Sequence, residues 1–275
     1  MEITWQVFFM TMGITLFAGM STGLGGLVVF FTNKDQHSGR FLSTSLGFSA
    51  GVMIYISLVE MMQLARVHLG ASYGSIKGGL LALLWFAAGL GMACLIDQLV
   101  PETENPHHVR SSQDLDDAEH ASAEEREKFG RAGTIFALAI AIHNFPEGLA
   151  TLAGGLVDFK VGIGIAVAIA LHNIPEGMAV AVPILYASGS RKKAFTYALL
   201  SGLAEPAGAL VGLIVLRPIL TPELLHSLFA LVAGIMIYIS FDELLPMAEK
   251  YGEHHIALAG LLAGMLFIGA GLEFL

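Results

Sequence analysis

The chain has 275 residues, of which 55% are hydrophobic and 13% charged, with a mean hydropathy of +0.70 and a net charge of −9. This composition excludes a disordered chain and an ordinary water-soluble domain, and fourteen Lys and Arg without a basic cluster leave no footprint for nucleic acid. A single cysteine, Cys94, set in an apolar run, excludes an internal disulfide framework and a thiolate zinc site.

A bilayer crossing takes about 20 apolar residues, and eight stretches meet that length: 5–31, 41–63, 78–100, 132–155, 161–186, 193–216, 224–247 and 255–274. The expectation is an all-α integral membrane protein of eight transmembrane helices, forming one domain over residues 1–275. The first stretch has no basic n-region before it and reads as a retained helix, with Trp5 as an interfacial anchor. Trp85, inside the third stretch, has no assigned role. Residues 101–131 are the only long polar segment, holding Asp114, Asp116, Asp117, Glu119, Glu124, Glu125 and Glu127 with His107, His108 and His120. A segment so charged and so poor in apolar residues reads as a solvated cytoplasmic linker in preference to a metal-catching loop.

Orientation follows from the cations. Ten of the fourteen Lys and Arg fall in the odd-numbered connections: Lys34, Arg40, Arg110, Arg126, Lys128, Arg131, Arg191, Lys192, Lys193 and Lys250. Arg66, Lys77, Lys160 and Arg217 fall in the even ones. By the positive-inside rule the odd connections face the cytoplasm, and both termini are extracytoplasmic.

Spans four and five each carry His-Asn-x-Pro-Glu-Gly in mid-span, as His143-Asn144-Phe145-Pro146-Glu147-Gly148 and His172-Asn173-Ile174-Pro175-Glu176-Gly177, 29 residues apart. Each ionised group at that depth costs about 2.5–3.5 kcal/mol on insertion scales. A lone histidine on an apolar helix is ordinarily a structural hydrogen-bonder. Two copies, each with a glutamate one helical turn on, point instead to a single shared site.

The ligand chemistry is that of a divalent transition metal. Two imidazoles and two carboxylates form a nitrogen-and-oxygen set suited to Zn²⁺, and also to Fe²⁺, Mn²⁺, Co²⁺ or Cd²⁺. Cu⁺ prefers sulfur, while Mg²⁺ and Ca²⁺ prefer all-oxygen sites. Asn144 and Asn173 add oxygens beside the histidines. Glu205, in Ser201-Gly202-Leu203-Ala204-Glu205-Pro206 of span six, is a further ligand candidate. Glu147 and Glu176, with two oxygens each, can bridge to a second ion. Three glutamates cannot all stay ionised in an empty dry site, so metal binding is expected to release protons.

The backbone is expected to help. Pro146, Pro175 and Pro206 cannot donate to the carbonyls of Ile142, Leu171 and Gly202, so each helix should kink beside the site. Gly148 and Gly177 should admit the opposed helix of the pair closely. Met20, Met53, Met61, Met62, Met178 and Met236 read as packing residues in preference to soft ligands.

The chain also repeats itself. Gly51-Val52-Met53-Ile54-Tyr55-Ile56-Ser57-Leu58-Val59-Glu60 in span two matches Gly234-Ile235-Met236-Ile237-Tyr238-Ile239-Ser240-Phe241-Asp242-Glu243 in span seven at seven of ten positions. The two spans run in opposite directions. A 3+2+3 inverted repeat follows, a pattern typical of secondary transporters with the binding site where the repeats meet. It places Glu60 near the outer end of span two and Asp242 and Glu243 near the inner end of span seven. Asp97 at the end of span three has a loose counterpart in Glu273. Glu60, Asp97, Asp242 and Glu243 are candidate entry and exit ligands, although acids at helix ends also simply reach water.

Over almost its whole length the sequence resembles the ZIP family of divalent-metal transporters, most closely its bacterial zinc-uptake branch. The resemblance rests on the two His-Asn-x-Pro-Glu-Gly motifs, the Ser-Gly-Leu-Ala-Glu segment of span six and Asp242-Glu243-Leu244-Leu245-Pro246 of span seven. It implies a two-metal centre, the first ion taking His143, Glu147, His172 and Glu176, the second Asn144, Glu147, Asn173, Glu176 and Glu205. It also implies metal uptake across the cytoplasmic (inner) membrane by an elevator-like slide of spans one, four, five and six against two, three, seven and eight, in a homodimer, with no catalytic cofactor. The family's dense histidine clusters are missing from 101–131. A metal-selective channel using the same residues is the alternative. An intramembrane metalloprotease is disfavoured, because no His-Glu-x-x-His occurs.

Overall fold

The computed structural model describes residues 4–31, 39–99 and 123–274, and all the regular structure among them is helical. Eight long helices follow in chain order: α1 (Trp5–Phe31), α2 (Gly39–Tyr73), α3 (Ser75–Leu99), α4 (Ala123–Val157), α5 (Phe159–Ser188), α6 (Arg191–Leu216), α7 (Pro222–Tyr251) and α8 (His254–Leu272). Among the described residues, seven of these are long and apolar enough to cross a membrane. The remaining one, α4, carries the first motif.

Starts and turns are specified locally. The Asp158 carboxylate accepts from the amides of Lys160 and Val161 to open α5, Ser190 accepts from Lys193 to open α6, and Thr221 accepts from Leu224 to open α7. Each satisfies an amide that the first helical turn leaves free.

Three boundaries differ from the expected spans. Residues 123–131, assigned to the polar linker, are helical and extend α4 at its N-terminal end. A polar stretch can keep its helical backbone bonds outside a bilayer, so apolarity marks the bilayer segment and not the helix. The rest of the linker, with Asp114, Asp116, Asp117, Glu119 and its histidines, lies outside the described residues. For the same reason α2 runs on to Tyr73, ten residues past the expected end. Glu60 is therefore well inside α2 and not near its end, and α7 likewise continues to Tyr251, beyond Glu243.

α1, α4, α5 and α6 pack on one another. α2 packs along α8 and α3 along α7, while α2 also touches α5 and α7 touches α4. The repeated decapeptides sit in matched surroundings. A Cβ on Gly51 of α2 would collide with the carbonyl of Leu261 in α8, and one on Gly234 of α7 with the carbonyl of Phe86 in α3. Each repeat then passes into a π-helical turn, Ile56–Met61 in α2 and Ser240–Leu244 in α7. Met53, Met61, Met178 and Met236 lie in the apolar core; Met20 is exposed.

Candidate metal centre

The two motifs meet in the interior where α4 and α5 cross. His143, Asn144, Glu147, His172, Asn173, Glu176 and Glu205 are all at most 3% exposed. The four-residue spacing puts each histidine and its glutamate on one helix face. The two faces point at one another. Glu147 Oε1 lies 3.0 Å from His143 Nε2 and 3.1 Å from His172 Nε2, while Glu176 Oε1 lies 3.6 Å from His143 Nε2. Ligand atoms of His143, His172 and Glu176 fall within 4.8 Å of one another.

The asparagines divide their two ends between tasks. Asn144 donates its amide to the carbonyl of Ser201 in α6, at 3.1 Å. Asn173 donates to the carbonyl of Ala18 in α1, at 3.0 Å, and also to Glu205 Oε1. The nitrogens thus tie the motif helices to α6 and α1. The oxygens Asn144 Oδ1 and Asn173 Oδ1 are buried with no hydrogen-bond partner, as are Glu147 Oε2, both Glu176 oxygens and Glu205 Oε2. Six acceptor atoms from five residues are orphaned in one buried region. His143 Nδ1, His143 Nε2 and His172 Nδ1 are without a hydrogen-bond partner beside them. Buried polar atoms are normally satisfied, and oxygens that outnumber the donors around them fit a cation. Nitrogen with oxygen, and no sulfur, suits a borderline divalent metal.

The glycines that close the motifs do permit close approach, but not between α4 and α5. A Cβ on Gly148 would collide with the carbonyl of Glu205 in α6, and one on Gly177 with the carbonyl of Thr22 in α1. The glycine follows its glutamate by one position, about 100° around the helix, so when the glutamates face the crossing the glycines turn toward the flanking helices. The prolines do not end their helices. α4 and α5 run unbroken through Pro146 and Pro175. Only α6 is interrupted, at Leu203 between Arg191–Gly202 and Ala204–Leu216, and there the Gly202 carbonyl that Pro206 leaves without a donor lies against Gly19 of α1. Losing one hydrogen bond does not end a helix whose neighbours hold it on every side.

The peripheral acids do not join this cluster. Glu60 lines a cavity of about 180 Å³ with Lys160 and the side chains of Ile56, Leu64, Ile165 and Leu272. Asp97 of α3 accepts from the hydroxyl of Tyr238 in α7 at 3.3 Å. Asp242 and Glu243 are half-buried on the π-helical turn of α7, and Glu273 is exposed. Sequence reasoning passed over Ser49 of α2, whose buried hydroxyl donates to the His172 carbonyl at 3.1 Å. No spacing rule links a serine to a histidine 123 positions away.

The fold and this centre together define a class: a multi-pass helical membrane protein built around a buried cluster of histidine, asparagine and glutamate that could hold a metal ion. A family model described as ZIP Zinc transporter matches residues 98–271. Proteins named zinc transporter ZupT are similar along nearly the whole chain. The one from Akkermansia muciniphila is 53% identical, covering 93% of both chains. That from Chlorobium chlorochromatii is 51% identical over 94% of this chain and 95% of its own, and that from Clostridium perfringens 50% identical over 94% and 93%. The chain belongs to the ZIP zinc transporter family, whose members are transporters and not enzymes.

Proposed function

We propose that this protein carries Zn²⁺, and with it Fe²⁺, Mn²⁺, Co²⁺ or Cd²⁺, into the cytoplasm across the cytoplasmic membrane. The observation that supports this most is the set of buried, unpartnered carboxylate and amide oxygens beside two histidines at the α4–α5 crossing. Zinc as a cargo agrees with the names of the relatives. His143, Glu147, His172 and Glu176 hold a first ion, and Asn144, Asn173 and Glu205 with the same two glutamates hold a second. The carboxylates common to both sets make the two ions compete for the same charge.

In this reading α4 completes eight spans in a 3+2+3 inverted arrangement, over one domain with both termini extracytoplasmic. Matched glycine contacts in α2 and α7, and π-helical turns at corresponding positions, support the repeat. Transport proceeds by alternating access. α1, α4, α5 and α6 move as a body carrying the site against α2, α3, α7 and α8, a division that follows the helix packing. Glu60 receives the ion on the outer side, and Asp97, Asp242 and Glu243 conduct it away on the inner side. α3 and α8 bury the smallest share of their residues among the candidate spans and offer the surface for a homodimer.

The test is metal flux into liposomes that contain purified protein and a metal-sensing dye. Saturable Zn²⁺ flux in wild type, lost in the His143→Ala/Glu147→Ala double variant, is the expected result. Flux that rises without saturation and tracks the electrochemical gradient would replace the carrier by a channel. Wild-type flux in the double variant would refute the site.

A further inference from the structure

The two motif copies hold their flanking helices through one shared set of contacts. Asn144 donates to Ser201 of α6 and Asn173 to Ala18 of α1. Four residues further along each flanking helix, the Glu205 carbonyl lies against Gly148 and the Thr22 carbonyl against Gly177. Between these points Gly19 and Gly202 pack on each other. A Cβ on Gly19 would stand 3.3 Å from the Cβ of Glu205, and one on Gly202 would stand 2.8 Å from the Cβ of Thr22. Ala18, Gly19 and Thr22 therefore stand to α5 as Ser201, Gly202 and Glu205 stand to α4. Thr22 occupies on α1 the place that Glu205 occupies on α6.

A second observation is independent of that correspondence. Thr22 is fully buried, and its hydroxyl has no hydrogen-bond partner. Thr15, Thr44, Thr151 and Thr196 return the hydroxyl to the carbonyl four residues back, whereas Thr11, which packs against Gly155 away from the motifs, shares with Thr22 a buried hydroxyl without a partner. For Thr22 that carbonyl is Ala18, which accepts from Asn173 and from the Ser21 hydroxyl instead. On the motif that Thr22 would face by the same correspondence, Asn144 Oδ1 is also buried and unpartnered. A buried hydroxyl without a partner is costly to keep.

We propose that Thr22 is a further metal-contacting residue: its hydroxyl oxygen meets the divalent ion on the α1 side of the centre and helps to set which metal is taken. α6 supplies a carboxylate to the shared site and α1 supplies a neutral oxygen at the matching place. The centre thereby keeps three glutamates and not four. An additional carboxylate would favour harder ions such as Mn²⁺, while a thiol at the same place would favour Cd²⁺. This inference rests on the metal site proposed above.

The test measures KM and maximal flux for Zn²⁺, and the Cd²⁺/Zn²⁺ competition ratio, in liposomes holding wild type, Thr22→Val, Thr22→Ser, Thr22→Cys or the His143→Ala/Glu147→Ala variant. Thr22→Val keeps the branched shape and should raise KM by about three- to tenfold, the loss of one polar contact. Thr22→Ser should restore wild-type KM, and Thr22→Cys should move the competition ratio toward Cd²⁺. If Thr22→Val does not fold, the Thr22→Cys ratio decides alone. An unchanged ratio in Thr22→Cys, or a wild-type KM in Thr22→Val, with flux still abolished in the double variant, would make Thr22 a packing residue and leave the site standing. Wild-type flux in the double variant would remove the site and this inference together.

Discussion

The acids inside the α4–α5 crossing and the peripheral acids Glu60, Asp97, Asp242 and Glu243 share a chemistry and differ in surroundings. Glu147, Glu176 and Glu205 are fully buried, face two histidines and two asparagines, and keep oxygens without partners. Glu60 shares its cavity with Lys160, and Asp97 takes a hydrogen bond from Tyr238. In the proposed function the first group holds the ion, because its two histidines and two asparagines leave several carboxylate oxygens without a partner. The second group has neighbours of its own, and in the proposed path it attracts an ion without retaining it. A transport path needs both kinds, since an ion must bind strongly enough to be selected and weakly enough to be passed on.

The sharpest way to break this contrast is to remove the shared carboxylates. Glu147→Ala and Glu176→Ala should each lower Zn²⁺ flux by more than about 100-fold, beyond the roughly 10- to 100-fold typical of groups that only orient a ligand. Flux near wild type in either variant, at equal protein abundance, would place the ions elsewhere. Next in size are the glycines that bring the flanking helices in. Gly148→Val drives a side chain into the Glu205 carbonyl and Gly177→Val into that of Thr22. Overpacking of this kind costs about 1–3 kcal/mol or more, so folded yield and unfolding temperature should both drop. Gly79→Ala, where a Cβ meets nothing within 4 Å, should change neither.

Asn144→Ala should cost less. It removes one buried hydrogen bond to α6, worth about 0.5–1.5 kcal/mol. Calorimetric titration should find the first ion bound nearly as before and the second weakened. The contrast is sharpened further by Glu60→Gln, which should raise KM for Zn²⁺ by less than about tenfold at low salt, with maximal flux kept, as befits an attracting charge. An equal loss in maximal flux would mean that Glu60 belongs to the binding centre. The smallest effect is expected at Arg40→Ala. Its ion pair with Glu253 spans 3.1 Å, but the side chains are 74% and 69% exposed. Stability should change by less than about 1 kcal/mol.

The seven residues of the candidate centre were readable from the sequence because their signal is local. Histidine and glutamate four apart share a helix face wherever that helix lies, and two such pairs in apolar surroundings have few uses but each other. Glu205 was readable from its place before a proline in mid-span. The asparagine amides were not readable as helix ties, and neither was Ser49, since their partners are main-chain carbonyls on other helices. The motif glycines were assigned to the wrong neighbour for a related reason: spacing places a residue on a face but does not say which helix covers that face.

By itself the sequence determined that the chain is helical and multi-pass, that two motifs carry ligand chemistry, and that the chemistry is nitrogen with oxygen. Apolar length and helical periodicity are properties of a segment, and they survive without knowledge of the rest of the chain. Only the tertiary structure decided that α1 and α6 are the helices clamped to the motifs, that α2 and α4 extend beyond their apolar windows, that the repeats pass into π-helical turns, and that Thr22 lies where Glu205 has its counterpart. Those outcomes depend on how each helix is rotated and shifted against its neighbours. That is fixed by packing between surfaces far apart in sequence, through close contacts of glycine with backbone that no single helix encodes alone.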